Sequence, residues 1–415
     1  MRTMRGFNRR GFLAGSAGSA ALLSTRARAQ ANPVKLGCIG PMSGPAQVVG
    51  AEIRLGAEVA RAQVNRMGGI NGRPLEFALY DDRTQPNLSV AGVRELATSG
   101  VNLMFGVPTA ASAMAVIGVL PSLNVVMTCT GSAEERLTHE LFNRNFFITS
   151  QNNYTRQRLL AREVAGKYPN VLSWTAILPD IAAGHDSWAV FSRAIVEYHA
   201  KAGRKAVLQT PIFSKFGNND YKVQISALMS TEATGLYSLL FGNDGITFFQ
   251  QARPFALEKK FQVIAEAGQE MDLPKALKRN VPEHVWAVSY YNFTAFKDNP
   301  DGQELQQAYQ KEFGDPIPHG LAGVSHVGVR CYAEAIKAAG STETDKVIAA
   351  LETLKFNTIR GPAYYRREDH QMIAAQSVVN WGPAQTDAGF EVREVVTVKD
   401  EEMVNPPTPG VQLKM

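Results

Sequence analysis

The chain has 415 residues, 45% hydrophobic and 20% charged, enough for two or three domains with real cores and too apolar for a disordered or fibrous protein. Its formal charge of +5 invites a nucleic-acid reading, but six of its 43 basic residues (Arg2, Arg5, Arg9, Arg10, Arg26 and Arg28) lie in residues 1–29, which hold none of its 38 acids. The remainder is almost neutral and has no Lys/Arg cluster to track a phosphate backbone, so nucleic acid is excluded as a partner.

Residues 1–29 have the three parts of an export signal. A basic start leads into Asn8-Arg9-Arg10-Gly11-Phe12-Leu13, which resembles the twin-arginine export motif. A weakly apolar run extends from Gly11 to Leu23, and Ala27-Arg28-Ala29 supplies a small-x-small cleavage signal. A run of about 13 residues is far short of the roughly 20 that span a bilayer, so it is an address and not an anchor. No Leu-x-x-Cys lipid-anchor element follows. The mature chain is expected free in the periplasm, with no membrane insertion. Cys38, Cys129 and Cys331 are few for an oxidising compartment and include no Cys-x-x-Cys; they read as buried thiols acting as small hydrophobes.

Beyond the signal, strand and helix patterns alternate. Val34 to Ile39 is a short continuous apolar run, as a strand covered on both faces shows, and Gly40-Pro41-Met42-Ser43-Gly44-Pro45 ends it. A helix follows from Gly50 to Met67, with Ile53, Ala57, Ala60 and Val64 on one stripe. Strand Leu75 to Tyr80, helix Asn87 to Ser99, strand Leu103 to Phe105, helix Ala110 to Leu120 and strand Val125 to Thr128 complete a βαβαβαβ series. Such a series calls for a parallel sheet with helices on both faces. From about residue 150 a second set begins: helix Gln157 to Lys167, strand Ser173 to Leu178 and helix Trp188 to Ala202. Strands Val207 to Pro211, Gly235 to Phe241 and Phe261 to Ile264 follow, with helical turns at Asp220 to Met229 and Phe248 to Pro254. Helices Gln303 to Phe313, Val324 to Ala339 and Thr344 to Leu354 precede β-like segments from Ile359 to Val398. The fold class is α/β, in two similar halves.

Several blocks taken together resemble the type I periplasmic binding proteins, specifically the branched-chain amino acid receptors of ABC importers. They are the first strand with Gly40-Pro41-Met42-Ser43-Gly44-Pro45, then Asn65-Arg66-Met67-Gly68-Gly69-Ile70-Asn71-Gly72-Arg73-Pro74 followed by a strand and Asp81-Asp82, Gly106 at the third strand's end, Gln251-Ala252-Arg253, and Arg360-Gly361-Pro362. The Gly-Gly-Ile-Asn-Gly block followed by Asp-Asp is the specific one. The resemblance implies a clamshell of two doubly wound α/β lobes joined by three crossovers. Lobe 1 is expected over 31–149 plus 286–357, lobe 2 over 150–285 plus 358–405, and a tail over 406–415. The solute is then held beyond the carboxyl ends of the strands, in a cleft that hinge closure buries.

By the same resemblance, two loops of lobe 1 capture a ligand carboxylate with hydroxyls and free N–H groups: Thr109, Ala110 and Ser112 after the third strand, and Thr130, Gly131, Ser132 and Ala133 after the fourth. The same Ser and Thr residues also read as ordinary helix caps. Ala133 departs from the family, which commonly has a threonine there, and Val49 occupies a loop position where some relatives place a tryptophan. In lobe 2, Glu266 matches the acid that pairs with a ligand ammonium; its bland reading is a solvated strand-end carboxylate. Asp244 at another strand end and Gly184 in Gly184-His185-Asp186 are further candidates, and Tyr290 walls the pocket or, with Tyr291, packs a hinge.

There is no Gly-x-Ser-x-Gly, no phosphate-binding Gly-x4-Gly-Lys loop and no His-Glu-x-x-His, and the seven histidines are dispersed. No catalytic residue, metal or cofactor is expected. The expected function is that of a monomeric, non-enzymatic receptor that delivers an amino acid or related small amine or carboxylate to a membrane permease. Alternatives are the same fold binding an amide, urea derivative or aromatic acid, a periplasmic ligand sensor, and a twin-arginine-exported oxidoreductase.

Overall fold

The computed structural model describes residues 32–44, 46–398, 401 and 403–412, so the expected export signal lies outside the described residues. Strands β1 (Val34–Gly40), β2 (Leu75–Asp81), β3 (Leu103–Gly106), β4 (Val126–Cys129) and β5 (Phe146–Ile148) pair in parallel in the order β2-β1-β3-β4-β5. A second parallel set follows: β6 (Ser173–Pro179), β7 (Val207–Leu208), β8 (Ile212–Ser214), β9 (Gly235–Ser238), β10 (Val263–Glu266) and β11 (Val285–Val288). After the C-terminal helices come β12 (Phe356–Thr358), β13 (Gly361–Tyr365) and β14 (Met372–Ala374), a small antiparallel sheet. Finally β15 (Gln376–Pro383) and β16 (Phe390–Val398) return to the second sheet, which runs β16-β15-β11-β10-β9-β6-β7 with β8 also beside β6.

Both faces of each sheet are covered, which is why the strands read as continuous apolar runs. In β1, Leu36 and Cys38 enter one core and Ile39 the other; in β3, Phe105 and Met104 divide the same way. In the second sheet Val263 and Ala265 face one core and Ile264 the opposite one. Helices Gln47–Arg66 and Gly320–Ala339 approach so closely that a Cβ on Gly56 would lie 1.9 Å from the Ala322 carbonyl oxygen.

The chain passes between the sheets three times: after β5, after β11 and between β14 and β15. The last passage corrects the expected boundary at residue 358. Ile359, Ala363, Tyr365, Met372 and Ala374 are part of the first core, so residues 358–374 pack with the first lobe. The crossing segments hold one another. Gln151 Nε2 donates to the Tyr290 carbonyl at 3.2 Å, and Gln371 Nε2 donates to the Ser150 carbonyl at 2.8 Å. The C-terminal segment also spans both lobes: Met403 lies in a core of the second sheet, while Thr408 Oγ1 is 2.7 Å from His139 Nδ1 of the first lobe.

The specific sequence block proves to be scaffold. Gly68, Gly69 and Gly72 turn the chain at φ of 95°, 74° and 80°, a region closed to most side chains. The Asn65 amide holds both backbone groups of Leu75, accepting from its N–H at 2.7 Å and donating to its carbonyl at 3.0 Å. Asp81 accepts the N–H groups of Met42 and Ser43 and so fixes the loop at the carboxyl end of β1. None of the described helices is long and apolar enough to cross a membrane.

Candidate functional site

The carboxyl ends of both sheets meet at the crossovers. Ser150 donates its hydroxyl to the Ser132 carbonyl at 2.8 Å, and the Asn153 N–H donates to the Ala133 carbonyl at 2.9 Å. Tyr290 is surrounded from both lobes; burial raises its phenol, and Arg156, Glu270 and Cys129 all act on it electrostatically.

Glu266, the last residue of β10, is fully buried. Its Oε1 accepts the N–H groups of Gly268 and Gln269 at 2.7 and 2.9 Å, while Oε2 has no partner. Burial pushes this carboxyl up to about 8 against the pull of those two N–H groups and of Arg156. A solvated strand-end carboxylate would do neither. Its in-register neighbour on β9 is Ser238, whose buried hydroxyl is also unpartnered. Unsatisfied buried polar atoms are costly and uncommon, so two in-register ones on adjacent strands are a feature that packing alone does not explain.

Arg156, in the first turns of helix Asn153–Lys167, was not singled out by the sequence, where it is one more polar residue of a helix. It is buried, its guanidinium lies 4.2 Å from the centre of the Tyr290 ring, and one NH₂ donates to the Ala267 carbonyl at 3.2 Å. The same group is 3.9 Å from Glu270, and Nε has no partner. Glu270 in turn accepts the Tyr290 N–H at 3.1 Å and lies 4.0 Å from His319, at the start of helix Gly320–Ala339. Glu270 and His319 were likewise missed, since each takes its meaning from partners remote in sequence.

In the first lobe, the turn after β3 is sharp: Gly106 has φ of 122° and the β-branched Val107 a φ of 47°. Such strain persists only where the surroundings impose it. It delivers Thr109, which caps helix Ala110–Ile117 by accepting the Ser112 N–H at 3.2 Å. Ala110 is half-buried at the first turn, and the Ser112 hydroxyl shares a 2.9 Å hydrogen bond with Ser89, which also binds Asp82. Ser112 is therefore engaged within its own lobe. After β4, the Thr130 N–H donates to the Gly106 carbonyl at 3.0 Å, joining the two loops. Gly131 fits because a Cβ there would lie 3.0 Å from Pro108 and Leu321. Ser132 accepts the Glu134 N–H at 3.3 Å in a local turn. Cys129 is pushed up to about 11 by burial, although the N–H groups of Gly131 and Ser132 point towards its sulfur and lower it.

Four other residues singled out by the sequence have local structural settings. Gly184 is needed because a Cβ would lie 2.1 Å from the Pro179 carbonyl, where helix Ala182–Lys201 leaves β6. Asp244 accepts the Gly217 N–H at 2.8 Å and secures a loop of its own lobe. Val49 is in the first turn of helix Gln47–Arg66, packed on the first core, and not in a loop. Tyr291 is buried against Gly323 and stacked on Phe296, a hinge-packing residue. At the edge of the cleft the lobes bring acids together. Burial pushes Glu135 up to about 7, helped by Glu134 and by Asp186 of the second lobe. A hollow of about 580 Å³ lined by Lys35, Arg73, Asn102 and Asp345 lies instead at the amino ends of the first sheet's strands.

Comparison with known proteins bears on the fold and family. Over 346 residues the chain is 23% identical to the leucine-, isoleucine-, valine-, threonine- and alanine-binding protein of Pseudomonas aeruginosa, covering 80% of this chain and 85% of that protein. An amino acid ABC transporter substrate-binding protein from Pseudomonas fluorescens superposes with a TM-score of 0.77 at 20% identity, covering 92% of this chain and all of the other. A solute-binding protein from Rhodopseudomonas palustris in complex with 3,4-dihydroxybenzoic acid gives 0.73 at 20% identity, covering 89% and 98%. Residues 33–387 match the periplasmic binding protein family as a whole. That match spans both sets of parallel strands and all three passages between them, and the chain belongs to the periplasmic binding protein family.

Proposed function

We propose that this chain is the solute-capturing component of an ABC importer, exported by the twin-arginine route, and that it grips a small carboxylate-bearing metabolite between its lobes without altering it. The relatives named above include proteins whose names or bound molecules are amino acids and an aromatic acid, and both carry a carboxylate. The observation that carries the reading is the pair of buried, unpartnered groups at the hinge, Glu266 Oε2 and Arg156 Nε. Polar atoms kept dry and unpaired cost stability, and a bound solute offsets that cost. The solute bridges the lobes, stabilises the closed form and is presented to a permease.

The test is a thermal-shift screen of the processed chain against amino acids, small aromatic acids and amides. A solute at a hundred times its dissociation constant adds about 2.7 kcal/mol to stability, which is readily seen. The expected result is one such class giving a saturable rise and being recovered unchanged. A protein indifferent to every class, or one that consumes its solute, would end the reading.

A further inference from the structure

We infer that Arg156 sets the specificity of the site, so that the solute turns an acyl group, a carboxylate or its amide, towards the second lobe and not an ammonium group. This rests on the receptor reading and names the solute chemistry for it.

The guanidinium is fixed in place. Its Cζ lies over the Tyr290 ring, 4.2 Å from the centroid, and one NH₂ is committed to the Ala267 carbonyl at 3.2 Å, directly after Glu266 in the chain. Its Nε–H is buried and has no acceptor. A guanidinium has only donors, so whatever completes it must bring an acceptor oxygen. Glu270, at 3.9 Å, is the nearest carboxylate to it, but that side chain already accepts the Tyr290 N–H and faces His319.

An ammonium beside Glu266 would meet two obstacles. Arg156 acts electrostatically on Glu266, so a second cation would share a dry space with the first. The Glu266 carboxyl is also held up at about 8 by burial, so an incoming ammonium must first displace its proton to gain a full ion pair. Protonated, it is a donor, as Arg156 is; ionised, it accepts an amide N–H. Both forms suit an acyl group. The neighbouring Ser238 hydroxyl, unpartnered as well, can donate or accept.

The experiment is calorimetric titration of the processed protein with benzoate, benzamide, benzylamine and leucine at pH 7, repeated with Arg156→Lys and Arg156→Met. The lysine variant keeps the charge but loses the planar fork and the Nε–H donor. Melting curves of the unliganded variants establish that each is folded. Benzoate or benzamide is expected to bind the parent at least tenfold more tightly than benzylamine, with that preference lost in the methionine variant and reduced in the lysine variant. Benzylamine or leucine binding best, with affinity unchanged or improved by Arg156→Met, would overturn the assignment while leaving the receptor reading intact. Binding of none of the four, together with no response in the wider thermal screen, would sink both.

Discussion

A Glu266→Gln variant is expected to melt roughly 5 °C above the parent at pH 8 and within a degree or so of it at pH 4.5. The folded protein holds this carboxyl up at about 8 because it is buried, whereas an unfolded chain releases the proton near the ordinary value of 4.5. Between those two values the folded state retains a proton that the unfolded state has lost, so stability falls as pH rises through the interval. Below 4.5 both states are protonated and the contribution vanishes. Summed over the interval the cost is on the order of 3–4 kcal/mol at pH 8, a large share of a typical folding free energy. Glutamine keeps a carbonyl oxygen for the Gly268 and Gln269 N–H groups and removes the charge. Thermal melts at the two pH values check this, and equal shifts at both would show that burial of charge is not what Glu266 suffers.

The second large effect is expected from His319→Gln. His319 joins Glu52 of the first lobe, 3.1 Å from Nδ1, to Glu270 and Asp272 of the second, 4.0 and 3.7 Å from Nε2. Burial alone would lower its affinity for a proton; Glu270, Glu52 and Asp272 outweigh that, with Lys275 opposing them, and the net shift is upward. The neutral ring can accept the Leu321 N–H at Nδ1, and the charged ring can donate from Nδ1 to Glu52, so protonation exchanges a helix cap for a bridge between the lobes. A histidine raised in this way contributes stability fully below about 6.5, lost as pH climbs through its folded value. Without it, acids of opposite lobes face one another uncompensated. The expected loss is about 3 kcal/mol at pH 6, shrinking towards pH 8, measured by denaturant unfolding. Glu52 is itself raised, by burial first, so the parent also loses stability with rising pH on its account. A loss for the variant that grows with pH would contradict the bridge.

How far the sequence discloses this molecule depends on the range of the interactions. Strands such as Val34–Gly40 are legible because covering both faces leaves an unbroken apolar run. Phe146–Ile148 is only three residues long and has no period to read. Glu266 was identified through the resemblance, and its strand was placed a little early because the buried run continues to the carboxylate itself. Ser112 and Asp244 are expected as ligand groups from their place at element ends, and the fold also gives each an intralobe partner, Ser89 for the hydroxyl and the Gly217 N–H for the carboxylate. Composition cannot tell a hydroxyl that caps from one that waits for a solute. Arg156 and His319 were overlooked for the converse reason. Their neighbours Tyr290, Glu270 and Glu52 are more than a hundred residues away or on the other lobe, and only the fold brings them together.

The most direct test of a clamp that closes on its solute is small-angle X-ray scattering of the processed protein with and without a saturating concentration of the solute selected by the thermal screen. A smaller radius of gyration is expected with solute bound, and no such contraction when a non-binding compound is added at the same concentration. Saturable binding with an unchanged radius would place the solute outside the space between the lobes and contradict it.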